Sequence, residues 1–252
     1  MRAHASQRIG RARPSQKKRK TRKKRRSVVR FLGRRIILGM LIIAVLSWMA
    51  VLPFRWIDPP TTAFMLQDKS GRVPVLHEWL DWINLRGTAP IAVVASEDQK
   101  FAHHFGFDLK SIRDSMDDYD DGAPLRGAST ISQQVAKNLY LWPGKSFLRK
   151  GVEAYLTVLV EASWSKRRIL EIYLNIAEFG PGIYGVAAAS DFYFGKAPVD
   201  LTDADAALLA AVLPNPKQRR VDQPSLYVRE RQRWIMQQMR RLQREQWIDL
   251  MD

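Results

Sequence analysis

Nineteen consecutive residues, IILGMLIIAVLSWMAVLPF from Ile36 to Phe54, carry no charge. That is close to the roughly 20 apolar residues a membrane-spanning helix needs. Arg34 and Arg35 flank the run on one side, Pro53 and Arg55 on the other. No polar stripe marks a solvent face, so a buried core helix fits poorly. Ahead of the run lie 16 of the chain's 41 Lys and Arg and no Asp or Glu. The remaining 25 basic residues balance the 25 acids, so the whole +16 sits in the tail. A like-charge block of this kind has no stable structure of its own. The leader is too long for a cleaved signal, and no small-x-small cleavage site follows the apolar run. The expected order is a basic cytoplasmic tail (1–35), a transmembrane helix (36–54) and a body across the membrane, by the positive-inside rule. Topology and attraction to anionic lipid account for the tail. Such runs also attract phosphate nonspecifically, but no nucleic-acid partner is expected. The absence of cysteine suits either side of a membrane.

Residues 55–88 read as a connector, because Pro59, Pro60 and Pro74 interrupt any long helix. Within it LHEWLDWINL (76–85) has the pattern of a short amphipathic helix. From residue 89 to 252 helical patterns dominate and no clear run of strands appears. IAVVASEDQKF is expected to be helical and to stop near Gly106. In GASTISQQVAKNLYL, Thr130 stands three residues before Gln133, the spacing of a capping box. Ile131, Val135 and Leu139 share one side of that helix; Gln133, Gln134 and Lys137 fall on another. SFLRKGVEAYLTVLVEAS carries a stripe of Leu148, Val152, Tyr155 and Leu159. KRRILEIYLNIAEF follows a Ser165 cap, and DLTDADAALLAAVLP starts at Thr202 with Asp205 three on. The last helix needs a partner for Trp234, Ile235, Met239 and Leu242. A mostly α single domain behind a membrane anchor is expected.

Three polar groupings carry chemistry. SEDQKFAHHFGFD gathers Glu97, Asp98, His103 and His104. It lacks HExxH or His-x-His spacing, so a histidine metal site is disfavoured. Glu97 follows the apolar AVVA. Burial there would raise its pKa and fit it for proton transfer, although from these residues alone a solvated helix residue is the commoner reading. Arg149, Lys150 and Glu153 stand at ion-pair spacing on one helix. Lys137, Lys145, Arg149 and Lys150 follow a helix start rich in Gly, Ser and Thr, which together suit either an anion site or a basic solvated face. SWSK (163–166) and KSG (69–71) mimic penicillin-binding transpeptidase boxes, but in the wrong order and too close together.

Taken together these segments resemble the peptidoglycan glycosyltransferases. SEDQKFAHHFGFD resembles their first motif, Glu-Asp-x-x-Phe-x-x-His-x-Gly, and GASTISQQVAKNLYL the second. RKGVEAYL resembles the third, Arg-Lys-x-x-Glu; SKRRILEIYLN the fourth; GIYGVAAASDFYFGK the fifth. Five motifs in order over 89–216 make a specific signal. The anchor and the length are similar to the monofunctional biosynthetic form, which shares this domain with class A penicillin-binding proteins.

The resemblance implies a mostly α, lysozyme-like glycosyltransferase domain on the periplasmic side of the bacterial inner membrane. It implies polymerisation of lipid II into β-1,4-linked glycan strands with inversion and release of undecaprenyl diphosphate. Glu97 takes the role of general base on the 4-hydroxyl of the acceptor's N-acetylglucosamine. Glu153 assists at the diphosphate, directly or through a divalent metal (Mg2+ or Mn2+) whose ligands are unknown. Ser129, Gln133, Gln134, Lys137, Lys145, Arg149 and Lys150 match substrate-binding positions. Lys145 stands where the family usually has Arg, which keeps the charge and loses the bidentate fork. Asp98, Phe101, His104 and Gly106 match as support of the site. The partners implied are lipid II, the growing lipid-linked chain, the membrane, and proteins of wall synthesis or division. The family's membrane-facing apolar subdomain falls at IRDSMDDYDDGAPLRG (112–127), which is less apolar here. A lysozyme-like or lytic transglycosylase would also use a catalytic Glu, but would not need Lys137 and Lys145. A noncatalytic membrane scaffold using the basic tail is the third reading.

Overall fold

The computed structural model describes residues 16–72, 74–111, 113–114, 129–144 and 146–244, with backbone alone for 16–30 and 244. Two units separate: 1–49, and a compact body of 50–252. The first unit is built on helix α1 (Gln16–Val51). The apolar window Phe31–Arg55 has a mean hydropathy of 2.5. Its side chains, among them Leu38, Leu41, Ile43 and Leu46, are exposed on all sides, as expected of a helix that buries itself in lipid rather than protein. The basic segment is helical from Gln16 onward, contrary to the unstructured block expected from its charge. Lys and Arg are good helix formers, and the apolar helix supplies the nucleus they extend.

In the body, helix α2 (Ala63–Leu66) and strand β1 (Leu76–His77) come from the connector, followed by α3 (Trp82–Leu85). The amphipathic helix expected over 76–85 is therefore split. Its first residues pair as a strand, and Asn175 explains the break: it accepts from Leu80 N at 2.8 Å and donates to Leu80 O at 2.9 Å. Those bonds take the backbone groups a continuous helix would use. Next come α4 (Thr88–Glu97), α5 (Ile131–Tyr140), α6 (Phe147–Ser163) and α7 (Lys166–Ile176). Strands β2 (Glu178–Gly180) and β3 (Ile183–Tyr184) follow, then α8 (Val186–Phe194), α9 (Asp203–Val212) and α10 (Leu226–Arg244). The small sheet has order β1-β3-β2, parallel between β1 and β3 and antiparallel between β2 and β3. No strand signal was read from the sequence, because two- and three-residue strands are too short to show alternation.

Helix α4 is central and apolar all round; Ala89 to Ala95 are buried without a break. It packs against α9 and α10, while α5 packs against α6 and α7. Ile235, Met239 and Leu242 of α10 are buried by these partners, and Trp234 stays partly exposed beneath Arg231. The stripe expected on α6 holds in part. Leu159 is buried and Val152 packs against the core, but Leu148 and Tyr155 are exposed, and the buried face also runs through Glu153, Leu156, Thr157 and Val160. A polar residue occupies the inward face because it has inward partners, described below.

The predicted caps form. Thr130 and Gln133 make a capping box, as do Thr202 and Asp205, and Ser165 accepts from Arg168 N at 3.2 Å. The transpeptidase-like SWSK is structural: Ser163 donates to Leu159 O, and Lys166 pairs with Glu161 at 2.7 Å.

Candidate active site

Helix α4 ends at Glu97, earlier than the sequence suggested, and the reason lies in Asp98. The Asp98 backbone leaves the helical region, with φ −163° and ψ 76°. Its carboxylate accepts from Ile131 N at 3.1 Å, a donor that the first turn of α5 leaves free. A negative charge is also favoured at a helix N-terminus. His104 Nε2 meets the same carboxylate at 2.9 and 3.0 Å. Asp98 thus fastens the end of α4 to the start of α5, which sets Glu97 beside α5. Phe101 is fully buried beneath this turn, and Lys166 Nζ lies 4.5 Å from its ring centroid. Gly106 closes the loop: its carbonyl accepts from Thr130 Oγ1 at 2.7 Å. Its φ is +80°, and a Cβ there would stand 2.8 Å from Thr157 Cγ2.

Glu97 is half-buried. Gln134 Nε2 donates to its Oε2 at 2.8 Å, and Ser96 Oγ lies 3.2 Å from its Oε1. Burial raises its pKa, while Gln134, Ser96 and the charges of Arg231 and Lys137 hold it down. A carboxyl balanced this way is poised for proton transfer. Gln134 is oriented in turn, because Tyr173 OH donates to its Oε1 at 3.1 Å. That bond turns the amide NH2 toward Glu97. Arg231, on α10, donates from Nη2 to Ser96 O at 2.9 Å. Tyr173 and Arg231 were not singled out from the sequence. Tyr173 lies inside the fourth motif, and Arg231 sits in a helix rich in Arg, where nothing marks one residue from its neighbours.

Glu153 is 2 % exposed and its two oxygens are both paired. Arg149 Nη1 meets Oε2 at 2.7 Å and Lys150 Nζ bonds Oε1. Lys150 also reaches Ser129 Oγ at 3.3 Å. Lys137 lies within the field of both Glu153 and Glu97. Burial lowers its pKa first, Glu153 and Glu97 raise it, and Arg149 and Lys150 lower it further. Its Nζ stands 5.5 Å from the Phe64 ring centroid. Three cations around one carboxylate leave an excess of positive charge beside Glu97, the arrangement that stabilises charge developing on a leaving phosphate.

Gln133 is placed differently from the substrate-binding role expected for it. Its side chain is 4 % exposed and closes the capping box, accepting from Thr130 N at 3.0 Å. Lys145 and nearly all of 112–127 lie outside the described residues. The expected divalent metal does not find a ready set of ligands. Both Glu153 oxygens are held by cations, and the described residues gather no group of three His, Asp or Glu suited to a metal.

Residues 70–240 match the family described as "Transglycosylase". The chain is 54% identical over 189 residues to a "Biosynthetic peptidoglycan transglycosylase" of Marinomonas sp. (strain MWYL1), covering 75% of this chain and 83% of the relative. It is 53% identical over 188 residues to one of Shewanella frigidimarina (75% and 82% covered). A third, from Xylella fastidiosa (strain M12), is 45% identical over 224 residues, 86% of this chain and 92% of that one. The match spans the carboxylate pair, the cations between them and the helices that hold both, so the chain belongs to the transglycosylase family.

Proposed function

We infer that the protein polymerises lipid II into peptidoglycan glycan strands. The observation that carries the reading is a half-buried carboxylate, Glu97, in the electrostatic field of Lys137, which in turn shares Glu153 with Arg149 and Lys150. Ionised Glu97 takes the proton from the acceptor sugar's 4-hydroxyl. The freed oxygen attacks the anomeric carbon of the lipid-linked chain. The bond to the diphosphate breaks as the β-1,4 bond forms, and the electron pair leaves on undecaprenyl diphosphate. Attack from the face opposite the leaving group inverts the α linkage. Lys137, Arg149 and Lys150 are suited to hold that diphosphate. Glu153, with both oxygens paired, serves by holding Arg149 and Lys150 in place, and no step is routed through a metal. The apolar helix keeps the cleft at the membrane that holds the substrate, with residues 1–35 on the cytoplasmic side and the body on the periplasmic side of the inner membrane. Wall-synthesis or division proteins are the expected neighbours.

A wall-cleaving enzyme would have no use for the cation cluster. The test is incubation of detergent-solubilised protein with labelled lipid II and, separately, with purified peptidoglycan. Glycan strands from lipid II are expected; release of wall fragments without polymer would overturn the reading. Glu97→Gln should abolish polymerisation and leave lipid II binding intact, and normal turnover by that variant would remove the base assignment.

A further inference from the structure

The pocket that begins at Gln134 and Tyr173 continues past the residues described so far. It has a volume of ≈ 130 Å³, and Lys137, Asn138 and Glu178 also line it. Glu178 is the first residue of β2. Its side chain is 10% exposed, and Oε1 is buried with no hydrogen-bond partner. Lys217 Nζ makes a long ion pair with it at 3.7 Å, beyond hydrogen-bond length, and is shared with Asp68 at 3.8 Å. Asp68 is satisfied by contrast: Tyr184 OH and Ser70 N each donate to it at 2.8 Å. A buried carboxylate oxygen without a hydrogen bond costs free energy in the folded state. Such atoms in native proteins ask for a reason, and one that lines a pocket together with Gln134, the partner of Glu97, points to a ligand. Burial pushes the Glu178 carboxyl up to about 7. The Lys217 charge draws it down, the Asp68 charge pushes it further up, and the Gly182 backbone amide lowers it.

The rest of the pocket says what would fit. Phe64, Leu213, Pro214 and Pro216 give it an apolar wall. Its volume is well below the roughly 300–1,000 Å³ of sites for drug-sized ligands, so it takes a substituent and not a whole sugar. A secondary amide, with a methyl at one end and an N–H donor beside it, matches an apolar wall facing an unpaired acceptor. On the transferase reading, on which this inference rests, the acceptor carries such a group two carbons from the reacting 4-hydroxyl. Gln134 links the two ends: it bonds Glu97 and also lines the pocket.

We propose that Glu178 is a specificity-determining, positioning residue whose Oε1 accepts the acetamido N–H of the acceptor sugar, the methyl group resting on the Phe64–Leu213–Pro214 wall. The contact fixes the rotation of the sugar ring, and so the direction in which its 4-hydroxyl presents to Glu97.

The test compares lipid II with an analogue whose terminal sugar bears hydrogen at C2, using full-length protein in detergent. Turnover and equilibrium binding are both measured. Wild type is expected to lose about tenfold or more in kcat/KM on the analogue, the usual scale for a lost hydrogen bond to a charged group. Glu178→Leu should lose about tenfold on natural lipid II, mainly in KM, and discriminate the two substrates by no more than a few-fold. Glu178→Gln keeps an acceptor oxygen and should stay within a few-fold of wild type. The melting temperature of Glu178→Leu should hold or rise, because a buried carboxylate with no hydrogen bond at Oε1 has been removed and the half-exposed Lys217 loses only a long ion pair. If that variant misfolds, Glu178→Ala answers the same question. Full discrimination in the Leu or Ala variant would overturn the proposal while leaving the transferase reading standing. Binding that depends on Glu178 without any polymer would overturn the transferase reading and leave the pocket. Absence of binding to either lipid would overturn both.

Discussion

At the residue scale, the state of Glu97 depends on the side chains bonded to it and on those that orient them. Gln134 favours its ionised form, and Tyr173 keeps the Gln134 amide facing the right way. A general base works ionised, so activity rises with pH through the Glu97 pKa. Burial has already raised that pKa; removing the Gln134 donor raises it further. Gln134→Leu should therefore move the acidic limb of the kcat/KM profile to higher pH and lower kcat/KM even on the plateau. Tyr173→Phe should shift the limb in the same direction by less, since the amide is then free to turn but remains present. A pH profile of the three proteins checks both, and an unmoved limb in Gln134→Leu would refute the relay. Glu97 and its neighbours were legible from the motifs, but Tyr173 and Arg231 were not. They lie 39 residues from Gln134 and 135 from Ser96 respectively, and no local pattern encodes contacts at that distance.

At the scale of elements, the site hangs on one junction, where α4 stops and α5 starts. Thr130 serves it twice. Its hydroxyl oxygen accepts from Gln133 N at 3.3 Å while its proton goes to Gly106 O at 2.7 Å. Thr130→Ala should cost about 1–2 kcal/mol as a lost cap, with a further loss for the freed Gly106 carbonyl, read by chemical denaturation. Gly106→Ala should be worse for the site than for the whole fold. It must adopt φ +80° and move Thr157, a strain of about 1–3 kcal/mol, and kcat/KM should fall with it. The cap at Thr130 was readable from its three-residue spacing to Gln133. That the cap would claim Gln133 and leave Gln134 for Glu97 was not, because both amides look alike in sequence and only the rotation of α5 against α4 separates them. The stripe on α6 was misread in part for a related reason. Periodicity marks apolar faces, and the inward face of α6 carries Glu153, made tolerable there by Arg149 and Lys150.

For the whole molecule, residues 1–49 and the body 50–252 form two separate units. Residues 50–252 hold their own core, including Met65 and Leu85 from the segment read as a connector and Val51 from the end of the apolar run. Arg168 ties that segment down, bonding Phe54 O at 2.9 Å, Ile57 O at 3.0 Å and Asp58 at 2.9 Å. Removing residues 1–49 should leave the melting temperature nearly unchanged in detergent. It should lower polymerisation of vesicle-embedded lipid II by about tenfold or more, since a tethered enzyme meets a membrane substrate at high effective concentration. Equal rates on vesicles with and without the helix would refute an anchoring role.

The sequence by itself determined the apolar N-terminal helix, the mostly helical body and the helix caps, and its resemblance to a family pointed to Glu97 as the carboxylate to watch. The first three rest on a run length, a period or a short fixed spacing. Only the tertiary structure decided which amide serves Glu97, what holds Glu153, how the connector joins the body, and that Glu178 lines the pocket with an oxygen that makes no hydrogen bond. Those features arise where elements distant in the chain pack together, and burial by distant neighbours is what turns an ordinary side chain into a poised one.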